Sequence, residues 1–239
     1  MAHVIGHPLL ERTTSCPLAQ LMKAFNASLL NHSDGFSSYP SGNTCHTFSM
    51  IWWPQEFPTL TYGLITLRPI VDSDIPAIYE GCQDPIIPTF TRVPHEYTMA
   101  HAEFFVREKT PQSFIEKTEL AFAIDYGNGV DKVFAGVISF HSMDLPDLAA
   151  EIGYWITAKV RGKGVGRTAV QVLTNFGFET MGFERIEALV NTENIASQKL
   201  LKSAGYTLEG ILRKKSRRYD GSQIDMAMYS VLRDEWKEL

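Results

Sequence analysis

Cysteine is scarce in this sequence, which holds only Cys16, Cys45 and Cys82 among its 239 residues. They are widely spaced and form no CxxC pair, so the sequence indicates neither a zinc site nor the disulfide framework of a small secreted protein. The N-terminus has no basic region followed by an unbroken apolar run, as a signal peptide would. No stretch approaches the roughly 18 apolar residues of a membrane span. We therefore expect a cytoplasmic protein.

Positive charge is not in excess either, because the formal net charge is −5 at pH 7. A protein that binds DNA through its overall field usually carries the opposite balance. Hydrophobic residues make up 44% of the chain, enough to build the core of one large domain. The composition therefore predicts a globular protein that binds neither DNA nor a membrane.

The first 62 residues differ from the remainder, since they are rich in Ser, Thr, Asn, His and Pro. They contain one helix-like stretch, residues 17–30, and we predict a partly irregular N-terminal extension over 1–62. Its most apolar feature is the run from Ile51 to Trp53, which Pro54 and Pro58 keep from forming a long helix. We expect these side chains to cover the main core or a subunit interface of a homodimer, with a role beside the substrate as the alternative.

From residue 63 to 239, strand-like and helix-like patterns alternate, and we predict one domain over this range. Alternation of apolar and polar residues or β-branched runs predict seven strands, at 64–68, 120–126, 132–141, 150–157, 185–191, 206–213 and 225–232. Capping residues and helical spacing predict helices at 72–83, 98–109, 165–181 and 194–203. The expected fold is therefore α/β or α+β: a mixed sheet flanked by helices, with an antiparallel N-terminal half.

A glycine-bearing loop connects the strand at 150–157 to the next helix. This glycine loop consists of Arg161, Gly162, Lys163, Gly164, Val165, Gly166, Arg167 and Thr168. Glycines let a backbone curl so that successive N–H groups point at one anion. The unpaired donors and the positive dipole end of the following helix add to that attraction. The loop therefore predicts a site for a pyrophosphate group.

Three other interpretations of the loop compete. A Walker A loop requires Gly-Lys-Ser/Thr, but Gly166 is followed by Arg167, which excludes it. Gly164, Gly166 and Ala169 satisfy the GxGxxA pattern of a dinucleotide-binding turn. However, too little chain follows for further βαβ units, and Glu187 lies inside the next strand rather than at its end. A connection without any ligand is the third alternative.

The loop and its flanks resemble the GNAT acetyltransferase superfamily, and the RimJ/RimL-like branch in particular. Arg161 to Gly166 matches the R/Q-x-x-G-x-G/A acyl-CoA loop of that superfamily. The other matching segments, in order, are Glu151-Ile-Gly-Tyr-Trp, Arg185-Ile-Glu-Ala, Asn191-Thr-Glu-Asn-Ile-Ala-Ser, Gly205-Tyr206 with Glu209-Gly210, and Asp225 to Tyr229. The resemblance implies a mostly antiparallel sheet of about seven strands, splayed between its central strands.

This resemblance implies acetyl-CoA as the co-substrate, with no metal. Backbone amides from Arg161 through Arg167 would hold its pyrophosphate. Thr168 completes the set of binding residues implied for the loop. The pantetheine arm would lie between the strands at 151–157 and 185–191, as an extra strand does in an open sheet edge. The side chains implied for this cleft are Ile156, Thr157, Asn191 and Asn194, and Asn194 would also cap the next helix.

The resemblance also implies catalytic residues. Many members carry a Tyr that protonates the leaving thiolate, but Leu201 stands at that position. In the RimJ/RimL-like branch a Ser replaces it, and Ser197 matches. Ribosomal-protein members place a base where this chain has Ser216 or Arg217, so Glu151 is the next candidate for the general base. Weaker candidates are Tyr154, His141, Asp220 and a water chain.

The acceptor implied by the family is a primary amine, such as the N-terminus of a ribosomal protein. A small molecule such as an aminoglycoside, polyamine or amino acid is the alternative, and a CoA-binding module without catalysis is a third. The run Arg213-Lys-Lys-Ser-Arg-Arg218 carries five cations, and strand alternation predicts that Arg213, Lys215 and Arg217 share one face. It either blunts a sheet edge with charge or contacts an anion.

Overall fold

The computed structural model describes residues 51–237, so the helix predicted at 17–30 lies outside the described residues. The strands are β1 (Leu60–Tyr62), β2 (Ile65–Pro69), β3 (Glu119–Tyr126), β4 (Val133–Asp144), β5 (Ala149–Ile156), β6 (Arg185–Asn191), β7 (Thr207–Arg217) and β8 (Gln223–Leu232). The helices are α1 (Ile75–Cys82), α2 (Ile86–Phe90), α3 (Met99–Phe104), α4 (Thr110–Glu116), α5 (Val165–Phe176) and α6 (Ile195–Ala204). None of them is long and apolar enough to cross a membrane.

The strands form one sheet of eight, in the order β1-β2-β3-β4-β5-β6-β8-β7. Neighbouring strands are antiparallel except for β5 and β6, which are parallel. The single parallel pair follows from chain connectivity, because α5 crosses over from the end of β5 to the start of β6. The predicted mixed, mostly antiparallel sheet is confirmed, with β1 as an additional short strand at its edge.

Helices cover both faces of the sheet. On one face α5 contributes Val165, Ala169 and Leu173 to the main core, together with Ile152 of β5. On the other face a smaller core joins α1, α2 and α3 to β4, where Val137 points away from the main core. Because successive side chains of a strand point to opposite faces, the sheet contributes residues to a core on each face and lies between the two cores.

Local sequence accounts for most of the boundaries. The side chain of Asn194 accepts a hydrogen bond from the backbone N–H of Ser197 at 3.1 Å, which confirms the predicted cap of α6. Gly205 ends that helix with a φ of 106°. The helix predicted at 98–109 is longer in the structure, because α3 continues through a π-helical turn, Phe105–Lys109, into α4. Pro111 follows this turn, and because it has no N–H it cannot continue the hydrogen-bond ladder of the preceding helix.

The described part of the predicted extension, residues 51–62, contacts the main core. Trp53 and Phe57 pack on Phe114, with ring centroids 5.6 and 5.1 Å apart. Trp52 is 50% exposed, while its backbone N–H donates to the carbonyl of Met181 at 2.8 Å. Packing of Trp53 therefore confirms the core-covering interpretation, whereas a subunit interface and the division at residue 63 stay predictions.

One arginine ties the edge of the sheet to the start of α1. Arg68 on β2 donates to both carboxylate oxygens of Asp74, at 2.7 and 2.8 Å. It also donates to both oxygens of Asp125 on β3, at 2.7 and 3.0 Å. The two carboxylates are buried, with side-chain exposures of 6% and 11%. The arginine therefore neutralises two charges that the core could not otherwise hold.

Replacing this arginine should unfold the protein more easily. Arg68→Met keeps the length of the side chain but leaves Asp74 and Asp125 buried without a cation, at a cost of about 3–5 kcal/mol in the free energy of unfolding. The matched control is Arg107→Met, because Arg107 pairs with Asp72 and Glu103 at an exposed site. Urea unfolding of both variants decides the matter: equal midpoints would contradict the role of Arg68.

Candidate functional site

The candidate site begins where β5 and β6 separate. The two strands pair only at Ala149↔Arg185, Ala150↔Ile186 and Glu151↔Glu187. Beyond these pairs β5 stays paired with β4 as far as Ile156, and β6 stays paired with β8 as far as Asn191. The gap between residues 152–156 and 188–191 is called the strand cleft below. The splay implied by the resemblance is present.

The glycine loop lies at the open end of the strand cleft. Gly162 and Gly164 adopt left-handed backbone with φ of 77° and 79°. Within the described residues, the six backbone N–H groups from 162 to 167 have no hydrogen-bond acceptor. The first engaged amide is that of Thr168, which donates to the carbonyl of Gly164 at 3.0 Å. The loop and the first turn of α5 therefore present a continuous run of free donors.

Gly166 has a different function from the other two loop glycines. A Cβ there would lie 2.7 Å from Leu200 Cδ1 and 3.2 Å from Ile156 Cγ1. The absence of a side chain therefore lets α5 begin in contact with both β5 and α6. Val165 is buried in the main core, so only its backbone faces the loop. Gly162 and Gly164 curl the loop, whereas Gly166 fixes the start of the helix.

Arg161 anchors the loop to two neighbouring elements. Its Nε donates to the carbonyl of Ile156 at 3.0 Å, and its Nη1 donates to Asp84 Oδ2 at 2.6 Å. Its Nη2 is buried without a partner in the described part of the chain. Sequence reasoning missed Asp84, which lies just before α2. Nothing in Asp84-Pro85 distinguishes it from an ordinary turn, so only the fold reveals this contact.

Both walls of the strand cleft carry unsatisfied polar atoms. Thr157 Oγ1, at the end of β5, and Asn191 Nδ2, at the end of β6, are buried without a hydrogen-bond partner among residues 51–237. Asn191 Oδ1 accepts from the N–H of Glu193 at 2.9 Å, which orients its amide group. An unpaired buried polar atom is costly, so a ligand with amide groups would stabilise this arrangement.

Ser197 and Tyr154 meet across the cleft. The Tyr154 hydroxyl, on β5, lies 2.8 Å from Ser197 Oγ, on the first turn of α6. Burial raises the pKa of Tyr154 to about 12, although the Ser197 hydrogen bond acts against the shift. A raised pKa favours the protonated phenol, so Tyr154 is better suited to donate a hydrogen bond than to act as a base, and the base role considered for it stays a prediction. The hydroxyl pair itself was not anticipated, since its members are 43 positions apart.

Glu151 lies on the opposite face of the sheet from Ser197. Tyr154 points toward α6, so strand alternation directs Glu151 the other way. There Glu151 Oε2 lies 3.9 Å from His141 Nδ1, and the nitrogen also lies 3.0 Å from Ser142 Oγ. Glu151 occupies the last paired position before the strands part. The catalytic role of Glu151 stays a prediction.

The segment from α1 to α3 borders the cleft on its far side. Asp84 joins it to the glycine loop, and His95 stacks on Tyr219 in the β7–β8 turn with ring centroids 3.6 Å apart. Arg218 in the same turn forms an ion pair with Glu193, which precedes α6. These contacts join the α1–α3 segment to the glycine loop and to the β7–β8 turn, and that turn to the start of α6.

The basic run in β7 departs from regular alternation. The register with β8 shifts between Leu212 and Ser216, and Lys214 has a φ of 53°. Its backbone N–H donates to Asp225 Oδ1 at 2.7 Å. This bulge interrupts regular alternation over 213–215, and the shared face of Arg213, Lys215 and Arg217 stays a prediction.

The positions at which related enzymes carry a tyrosine acid or a carboxylate base supply neither group in this chain. Leu201 is fully buried in the main core, where its side chain packs rather than faces a ligand. Ser216 and Arg217 lie on β7 beyond the bulge. Among the described residues, no group of three or more His, Cys, Asp or Glu side chains could hold a metal ion.

Comparison with known proteins gives a family for this arrangement. The sequence model of the acetyltransferase (GNAT) domain matches residues 65–207. The N-acetyltransferase YoaA of Bacillus subtilis is 27% identical over 177 residues, which cover 74% of this chain and 98% of the relative. The ribosomal-protein-serine acetyltransferase of Escherichia coli is 28% identical over 99 residues, or 41% of this chain and 55% of the relative.

Solved structures agree on the fold. RimL, a ribosomal L7/L12 alpha-N-protein acetyltransferase solved with coenzyme A, superposes with a TM-score of 0.67 over 75% of this chain and 100% of its own. At 20% identity this likeness shows the fold alone. Because the family match spans more than half of the sequence, the chain belongs to the GNAT acetyltransferase family and is an N-acetyltransferase that uses acetyl-CoA.

Proposed function

We propose that this enzyme acetylates the α-amine of a polypeptide, and that its donor lies in the strand cleft with the diphosphate on the glycine loop. The observation that carries the proposed donor site is the run of six unpaired backbone N–H groups at 162–167. Such a run just before a helix attracts phosphate through both hydrogen bonds and the helix dipole. Three of these donors belong to the first turn of α5, and the left-handed Gly162 and Gly164 place the loop donors directly before them.

The walls of the cleft suit the remainder of the donor. Thr157 Oγ1 and Asn191 Nδ2 are buried and unpaired in the described structure, on opposite sides of the gap. The amide groups of a pantetheine arm could satisfy both atoms while its backbone-like chain extends the sheet. Ile156 provides apolar contact, while Asn194 Oδ1 caps α6 and the part of Asn194 in binding stays a prediction.

The reaction requires a base for the amine, a donor for the thiolate and an open path between them. Acetyl-CoA, when bound, supplies the thioester carbonyl that the amine attacks. Ser197 can donate its hydroxyl hydrogen to the sulfur as the carbon–sulfur bond breaks, and its oxygen then regains a proton through solvent. Glu151, or water ordered beside it, takes the proton that the attacking amine releases. These roles join residues on both faces of the cleft.

The acceptor is proposed as a peptide for two reasons. The E. coli relative named above is a ribosomal-protein-serine acetyltransferase, which is a peptide-directed activity. In addition, Arg213, Lys214 and Lys215 line an open hollow of about 830 Å³ beside the β7 bulge. Positive charge there disfavours a polycation such as a free polyamine. A cytoplasmic location is consistent with such a substrate and remains part of the proposal.

A negative charge placed in the glycine loop should weaken the binding of acetyl-CoA. Gly164 is left-handed, and a side chain there would enter open space. Gly164→Asp should weaken acetyl-CoA binding at least about tenfold relative to Gly164→Asn, since one negative charge near a phosphate costs upwards of 1.4 kcal/mol. Asn is the matched control, because Asn and Asp tolerate left-handed backbone to similar degrees. Equal affinities by calorimetry would contradict the phosphate site.

Loss of the Ser197 hydroxyl should slow turnover and spare the donor site. Ser197→Ala is expected to lower kcat by roughly a hundredfold while the Kd of acetyl-CoA is unchanged, because the serine acts on the leaving sulfur. Ser203→Ala is the control on the same helix, since its hydroxyl donates to the carbonyl of Leu200 at 2.7 Å. A kcat for Ser197→Ala equal to that of the control would remove Ser197 from the mechanism.

The acceptor class can be tested with a small set of amines, with release of the CoA thiol as the readout. A peptide with a free N-terminus should give the highest kcat/KM. The same peptide with a blocked N-terminus and a lysine, spermidine, and an aminoglycoside should all be slower. Faster turnover of either small molecule would contradict the peptide proposal. Binding of acetyl-CoA without turnover of any amine would instead favour a CoA-binding module.

A further inference from the structure

The hydroxyl of Tyr154 has one hydrogen-bond partner in the described part of the chain, which is Ser197 Oγ at 2.8 Å. Tyr154 belongs to the section of β5 that has separated from β6, and Ser197 follows the end of β6. The bond therefore joins one wall of the strand cleft to the helix that follows the other wall. It joins a strand that carries the glycine loop to the helix that carries the proposed proton donor.

Ser197 is prepared for this contact by its position in α6. Its backbone N–H is already satisfied by Asn194 Oδ1 at 3.1 Å. A helical serine commonly turns its hydroxyl back to a carbonyl one turn earlier, as Ser203 does to Leu200. Ser197 shows no such bond within residues 51–237, so its hydroxyl is held by Tyr154 rather than by its own helix.

The direction of the hydrogen bond follows from acidity. A phenol is a stronger donor than an aliphatic alcohol, and the serine oxygen is the better acceptor. Tyr154 therefore donates to Ser197 Oγ. If the serine donated instead, its hydrogen would be consumed and no hydrogen would remain for the cleft. With the tyrosine as donor, the serine hydrogen is free to point at a group in the cleft.

We propose that Tyr154 is a positioning residue for the acetyl transfer, which orients the Ser197 hydroxyl toward the donor sulfur and stabilises the charge that develops on Ser197 Oγ. The inference rests on the proposed role of Ser197. A donor fixed in advance at a developing oxyanion needs no reorganisation during the reaction, which is the origin of its effect on the rate. Chains of hydroxyls also polarise one another, so the serine becomes a stronger donor.

The proton balance leaves Tyr154 unchanged. As the carbon–sulfur bond breaks, its electron pair goes to sulfur, and the sulfur takes the hydrogen of Ser197 Oγ. The serine oxygen holds negative charge only until it regains a proton from solvent, to which the amine has released one through its base. Any proton that Tyr154 passes to this oxygen, as the stronger acid of the pair, is likewise returned by solvent, so both hydroxyls end the cycle protonated.

The experiment is a double-mutant cycle on the full chain, with Tyr154→Phe, Ser197→Ala and the combination. Tyr154→Phe should lower kcat about tenfold to a hundredfold, as expected for loss of one hydrogen bond to a charged group, and leave the Kd of acetyl-CoA unchanged. In the Ser197→Ala background the same substitution should have no further effect on kcat. That non-additivity is a result that a purely structural tyrosine would not give.

Tyr206→Phe is the matched control, because its hydroxyl is also buried and lies 2.7 Å from Thr174 Oγ1 rather than from Ser197. It should leave kcat at the parental value. Equal losses from Tyr154→Phe in both backgrounds, or no loss at all, would overturn the proposal. Full activity of Ser197→Ala would overturn it together with the proton-donor role. A parent protein that fails to acetylate any amine would instead sink the proposed function itself.

Discussion

The separation of β5 from β6 is the constraint on which the remainder of the site depends. After the Glu151↔Glu187 pair, β5 stays paired with β4 and β6 stays paired with β8. The backbone groups of β5 and β6 that face the gap therefore do not pair with each other. The gap leaves Thr157 Oγ1 and Asn191 Nδ2 buried and unpaired in the described structure. Polar groups left in this way destabilise a protein unless a ligand compensates. The fold therefore carries a cost at the site that acetyl-CoA can offset.

Two cores on opposite faces of the sheet keep the cleft open. The main core holds α5 against β5 through the close contact of Gly166 with Ile156 and Leu200. On the other face Trp155 packs into the smaller core, so closely that a Cβ at Gly81 would lie 2.8 Å from its ring. Because side chains pack against both faces of β5, this strand resists the movement toward β6 that would close the cleft. Rigid walls of this kind suit a site that positions two substrates.

Local signals in the sequence were sufficient for most of the fold. The strand at Arg185–Asn191 and the Asn194 cap follow from alternation and capping chemistry, which act over a few residues. Helix α2 and strand β1 were missed because each is only three to five residues long and depends on tertiary contacts. The β7 bulge was missed for a related reason, since it depends on the distant carboxylate of Asp225.

The glycine loop was predictable because a short run of residues encodes it, whereas the hydroxyl pair was not. Tyr154 meets Ser197, and Asp84 meets Arg161, only after the chain has folded. The central claim is that the loop amides hold a diphosphate. Its most direct test is calorimetric titration with CoA and, separately, with pantetheine, which lacks the diphosphate. Binding of CoA much tighter than that of pantetheine is the predicted result. Equal binding of the two, or no heat with CoA, would contradict it.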